Sequence, residues 1–287
     1  MVLAMKTILV PVERNSQIES TLAMVGRLAT MFDSYVEGFA LSPELNTLVA
    51  AEGIGSMVVY PTDLAAQDEV SAGEARKLFD DAMAKHGIAP ATGAGAGASG
   101  PSSAWNPRTL AGDGFLGSHG RVFDVTVVGR PGSGPASPHM STLEAALFDT
   151  GRPVLIAPPD APAHIGEVVT IAWNGSTETA RAIAYAKPLI ARAKRVIVQV
   201  VEGVGVAGPS GADVARHLER NGIAAEVVTV KREQRSPGAA ILEEAAAAGC
   251  DLLVKGAYTQ SRLRQMIFGG ATSHIIAEAT LPVLMAH

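Results

Sequence analysis

The chain has one cysteine, Cys250, among 287 residues. A single thiol excludes an internal disulfide and a multi-cysteine metal site, and it suits a reducing compartment, so the expected location is the cytoplasm. Cys250 itself reads as a small buried hydrophobe ahead of a strand. No apolar run approaches the length of a membrane span, so no membrane partner is expected. The amino-terminal stretch MVLAMKTILVPVERN lacks a basic leader and is interrupted by Lys6 and Pro11, which fits a first strand better than a signal peptide. With a net charge of -5 and 18% charged residues, the chain has no basic field with which to hold nucleic acid.

Catalytic patterns are equally scarce. The seven histidines show no H-E-x-x-H or comparable ligand spacing, so no metal is expected. No G-x-S-x-G elbow precedes a helix, and no close carboxylate pair marks hydrolysis. Glu243 and Glu244 read as solvated helix surface. No catalytic residue is nominated, and enzymatic activity stays undecided. The stretch Gly95-Ala-Gly-Ala-Ser-Gly100 spells a dinucleotide fingerprint, yet Pro101 follows where a helix should open, so it reads as a loop or a weak third strand.

What the sequence does hold is a repeat. TILVPVERNSQIESTLAMVGRLA near the start resembles VVTIAWNGSTETARAIAYAKPLI from Val168, FDVTVVGRPG (123–132) matches CDLLVKGAYT (250–259), and GRPVLIAP (151–158) matches TLPVLMAH (280–287). The proline-rich APPDAPAHIGE between them reads as a linker, giving domains at 1–160 and 161–287. In each half, short runs of Val, Ile and Leu alternate with helical patterns, the mark of strand-helix-strand units and a parallel sheet. The second half is expected to place strands at about 167–173, 195–201, 225–231, 251–256 and 282–286. Ser236, Pro237 and Gly249 punctuate its third helix. In the first half a helix is expected over 63–86, ending at Gly87, and Ser141 with Glu144 fit a capping box.

The segment GAYTQSRLRQMIFGGAT (256–272) lies between a strand and a helix, at the carboxyl end of a parallel strand, where open sheets bind ligands. Free amides at a helix start, with the helix dipole, favour an anion such as phosphate. On spacing alone the glycines serve equally well as turns. Arg262 and Arg264 are able to pair with phosphate oxygens, or to stand as a solvated loop.

The tandem halves, the opening WNGSTETA, the loop GAYTQSRLRQMIFGG and the ending PVLMAH together resemble the universal stress protein family, more strongly in the second half. The resemblance implies two open, Rossmann-like parallel-sheet domains of the adenine nucleotide alpha hydrolase type, related by a pseudo-two-fold axis through their fifth strands. It implies a stress-response or signalling role with ATP or AMP held in the carboxyl-terminal domain alone; magnesium and association into a homodimer are left open. ATP-binding members carry G, two residues, G, nine residues, G and then Ser or Thr; here those positions hold Gly256, Thr259, Gly269 and Gly270. Thr259 and Gly270 depart from the pattern, and Thr272 and Ser273, one turn on, would restore a hydroxyl. Asn174 and, in the first half, Glu13 stand where the family often places an Asp near the ribose, although either could cap the following helix. Val200 and Val201 lie where the family offers backbone groups to adenine. Pro131, Pro135 and Pro138 remove amides from the matching loop of the first half, which reads as degenerate. Two alternatives stay open: a protein that binds no nucleotide and acts through its surfaces or another small ligand, and a slow adenylate-handling enzyme such as an ATP hydrolase.

Overall fold

The computed structural model describes residues 4–41, 62–92, 100–134, 136–258 and 270–287. The first half runs β1 (Thr7–Val12), α1 (Ile18–Phe32), β2 (Tyr35–Leu41), α2 (Thr62–Lys85), β3 (Ala89–Pro90), β4 (Ser102–Ala111), α3 (Asp113–His119), β5 (Val125–Gly129), α4 (Met140–Phe148) and β6 (Val154–Ala157). The second runs β7 (Val168–Trp173), α5 (Thr177–Ile190), β8 (Arg195–Val201), α6 (Gly211–Arg220), β9 (Glu226–Val230), α7 (Pro237–Ala247), β10 (Leu252–Gly256), α8 (Ala271–Glu278) and β11 (Val283–Ala286).

The eleven strands of the described residues join one sheet in the order β3-β4-β2-β1-β5-β6-β11-β10-β7-β8-β9. Away from β3, the two halves read outward to inward as third, second, first, fourth and fifth strand, so the sequence repeat is a repeat of topology. Every pairing within a half is parallel. The halves meet where β6 and β11 pair antiparallel, Leu155 opposite Leu284. An antiparallel join between equivalent strands is what a pseudo-two-fold axis produces, and it covers two edges that would otherwise be open.

The central strands are buried on both faces, which is why they read as unbroken apolar runs. Residues of β6, β10 and β11 alternate between two cores. Leu155, Val254 and Leu284 face one side with Leu28 and Leu189, whereas Val154, Leu253 and Val283 face the other with Leu143 and Ile275. Each core draws residues from both halves.

Local signals hold at most boundaries. Ser236 caps α7 by accepting from the Ala239 amide at 3.1 Å, with Pro237 in the first turn. One expectation is corrected. Helix α4 starts one residue before Ser141, with His139 at its N-cap and no side-chain capping bond, so the capping box does not form. The stretch after Gly100 forms a ten-residue strand, β4, in register with β2 from Ser102 to Asn106. Asn106 and Pro107 masked that strand, and the register shifts just there, between Phe39 and Leu41. No helix among the described residues is long and apolar enough to cross a membrane.

Candidate functional site

The carboxyl edge of the second half is built by the ends of β7, β8 and β10 and the start of α8. Trp173 and Val200 lie side by side as β7 and β8 end. The chain then turns through Asn174 and Gly175 into α5, with Gly175 at φ 82°, where a side chain would also meet the Val206 carbonyl. Asn174 works locally: its Oδ1 accepts from the Ser176 amide at 3.2 Å and from Thr179 Oγ1 at 2.6 Å, while Ser176 caps α5. The segment after β8 folds back over this corner. The Val206 amide donates to the Asn174 carbonyl at 2.9 Å, and Trp173 Nε1 donates to the Pro209 carbonyl at 2.8 Å.

Gly256, the last residue of β10, is set by close approach: a Cβ there would collide with the backbone of Glu178 and Thr179 at the start of α5. Its role in the fold is to let α5 lie against the strand. Gly270 is the N-cap of α8 in an extended conformation, and no side chain caps that helix. The first-turn amides, including those of Thr272 and Ser273, therefore lack intrahelical partners. The Thr272 hydroxyl is already engaged, accepting from Lys255 Nζ at 2.9 Å. Thr259, Arg262, Arg264 and Gly269 lie outside the described residues. The structure thus gathers Asn174, Val200, Gly256, Gly270, Thr272 and Ser273 at one sheet edge.

Beneath that edge is a cavity of about 40 Å³ lined by Trp173, Asn174, Gln199, Lys255 and Ala271 with apolar neighbours. Lys255 is 7% exposed, and its Nζ also donates to the Gly256 carbonyl at 2.7 Å. Burial pushes its pKa down to about 8. Gln199 is buried too; Nε2 reaches the Ile241 carbonyl at 3.4 Å, and Oε1 has no partner among the described residues. Motif reasoning missed both residues. Their signal was a lone Lys in LLVKG and a lone Gln in RVIVQVV, polar side chains in strands otherwise apolar on both faces.

The matching edge of the first half is closed. Glu13 Oε1 lies 3.0 Å from His139 Nε2, and burial raises the Glu13 pKa against the opposing pull of His139. The Pro138 ring occupies the space above Gly129, where a Cβ would come within 2.7 Å of Cγ. The Ser16 amide donates to the Ala136 carbonyl at 2.8 Å, tying the loop down and leaving a cavity of about 10 Å³.

The fold defines an open, doubly wound α/β protein with two tandem units of like topology. Residues 164–287 match the model of the universal stress protein family. A universal stress protein from Archaeoglobus fulgidus DSM 4304 has a similar fold over 99% of both chains, with a TM-score of 0.71 at 15% identity. A protein of unknown function from Pseudomonas aeruginosa PAO1 aligns over 99% of this chain and 92% of its own, with a TM-score of 0.51 at 14% identity. No curated protein matches the chain.

Proposed function

We propose that the chain is a tandem universal stress protein whose second unit, residues 161–287, binds an adenine nucleotide, ATP or AMP, in a stress-response or signalling role, while the first unit, residues 1–160, does not. The observation that carries this reading is the uncapped start of α8, whose amides and dipole face the same edge as Asn174, Val200 and Gly256. In this reading Gly269 and Gly270 present amides to phosphate, Thr259, Arg262 and Arg264 border it, and Thr272 and Ser273 supply hydroxyls.

The size of the cavity favours a second reading. About 40 Å³ does not admit a nucleoside, and the segment after β8 packs on Asn174. A chain that acts through its surfaces, or through a smaller ligand, fits those two facts. Titration calorimetry with ATP and AMP separates the readings. The parent is expected to bind weakly, and Thr259→Gly with Gly270→Ser is expected to bind more tightly, since one restored hydrogen bond contributes roughly 0.5–1.5 kcal/mol. Gly270 has φ -79°, a conformation open to serine. If the parent takes up nothing at millimolar ATP and the double variant does no better, the nucleotide reading is lost.

A further inference from the structure

Lys255 is a buried cation, and no carboxylate among the described residues pairs with it. Its ammonium group donates to the Gly256 carbonyl and the Thr272 hydroxyl, both neutral, and burial accounts for its lowered pKa. The neighbouring segment 259–269, TQSRLRQMIFG, contains no acidic residue at all. With a pKa near 8 the group is still mostly protonated at pH 7, so among the described residues this interior charge has no counter-ion. An ammonium group has three protons, and two of them are bonded here.

The same cavity holds the opposite deficit. Gln199 is 2% exposed, lines the cavity, and has an acceptor, Oε1, that no donor among the described residues meets. Ala271, the first residue of α8, completes the wall, so the positive end of a helix dipole faces the same space. An occupant that satisfies all three must be negative, to match Lys255 and the helix, and must carry an O–H, to donate to Gln199. It must also be small. By the yardstick of one water per roughly 10–15 Å³ of such space, the cavity takes about three water-sized groups.

We propose that this cavity is a site for a small oxyanion carrying one proton, hydrogencarbonate or hydrogenphosphate, with an anionic oxygen on Lys255 and its hydroxyl on Gln199. The three-oxygen ion suits the volume better than the four-oxygen one. The site adjoins the nucleotide-facing edge and shares Asn174 and the start of α8 with it, whereas Lys255 and Gln199 belong to the cavity alone. It does not depend on a nucleotide binding above it.

Trp173 lines the cavity and reports on it. Its fluorescence should be followed while sodium hydrogencarbonate, sodium phosphate or sodium chloride is added to the full chain at constant pH and ionic strength. A saturable change is expected with hydrogencarbonate or phosphate and not with chloride; which of the two saturates at lower concentration identifies the ion. Lys255→Met, similar in length and uncharged, is expected to fold and to lose the response. Gln199→Leu, which removes the orphan acceptor, is expected to weaken it at least tenfold. Absence of any saturable response in the parent, or an unchanged one in Lys255→Met, overturns the proposal and leaves the cavity to water. ATP calorimetry on the same proteins keeps the two readings apart. Nucleotide binding without an oxyanion response defeats only this inference, and the reverse defeats only the nucleotide reading.

Discussion

Asp124 and Asp251 stand at the same place in the two halves and do the same thing. Asp124 Oδ2 accepts from the amides of Lys6 and Thr7 at 2.7 and 3.0 Å, and Asp251 accepts from those of Glu167 and Val168 at 3.0 and 2.9 Å. Each carboxylate stands just ahead of its fourth strand and ties down the entry to the first. The repeated FD and CD pairs are thus a structural device for registering two central strands. Replacing either by Ala leaves two amides without their acceptor and is expected to cost about 1–3 kcal/mol. The two sites share no partner, so the double variant should lose the sum of the single losses, as urea unfolding will show.

Gly129 and Gly256 are another equivalent pair, and here the halves differ. A methyl group at 256 runs into the backbone of α5, which cannot yield without moving the helix. At 129 it meets the Pro138 ring at 2.7 Å and Thr21 Oγ1 at 3.1 Å, both side chains. Gly256→Ala is therefore expected to lower the melting temperature several degrees more than Gly129→Ala, on the scale of the 1–3 kcal/mol that overpacking typically costs. Equal losses would mean that α5 slides freely on β10.

These pairs show what was legible in the sequence. The repeat, the second-half strands and the cap at Ser236 could be read because buried parallel strands need unbroken apolar runs and helix ends need particular side chains. β4 escaped because β3 pairs only with its first two residues, so the stretch beyond tolerates Asn106 and Pro107, which break the apolar pattern. The site was legible only in part. Gly256 reads as a phosphate-loop glycine by spacing, and space is what distinguishes a glycine needed for packing from one needed for a ligand. Lys255 and Gln199 belong to no motif, and their meaning comes from burial and missing partners, which require three dimensions.

The seam between β6 and β11 yields a third expectation. Leu155 and Leu284 are fully buried and face each other across the antiparallel join. A fragment of residues 161–287 would expose the β11 edge, and an open edge pairs with another strand. That fragment is expected to form a dimer through β11 against β11, seen as concentration-dependent sedimentation. Leu284→Ala in the full chain should cost about 2–5 kcal/mol, the usual range for a buried leucine. A fragment that stays monomeric at high concentration would show that the join depends on the linker holding the halves together.

The buried amine sets a pH dependence whose sign follows from linkage. Lys255 titrates at about 8 in the folded chain against an ordinary 10.5 when unfolded. Below pH 8 both states carry the proton, and the folded state bears the whole burial penalty, on the order of 3 kcal/mol for a shift of this size. Between about 8 and 10.5 the unfolded chain binds the extra proton, so the Lys255 contribution makes stability rise with pH across that window. Above 10.5 both states are neutral and the penalty is gone. Lys255→Met has no such group and serves as the reference for all other titrations. The variant should therefore be the more stable protein at pH 7, and its advantage should shrink steadily from pH 8 to 10.5 in urea unfolding. An advantage that stays constant over that range would show that Lys255 keeps its ordinary pKa. Addition of the bound oxyanion at pH 7 is expected to narrow the same gap, because it supplies the missing counter-charge to the parent and nothing to the variant.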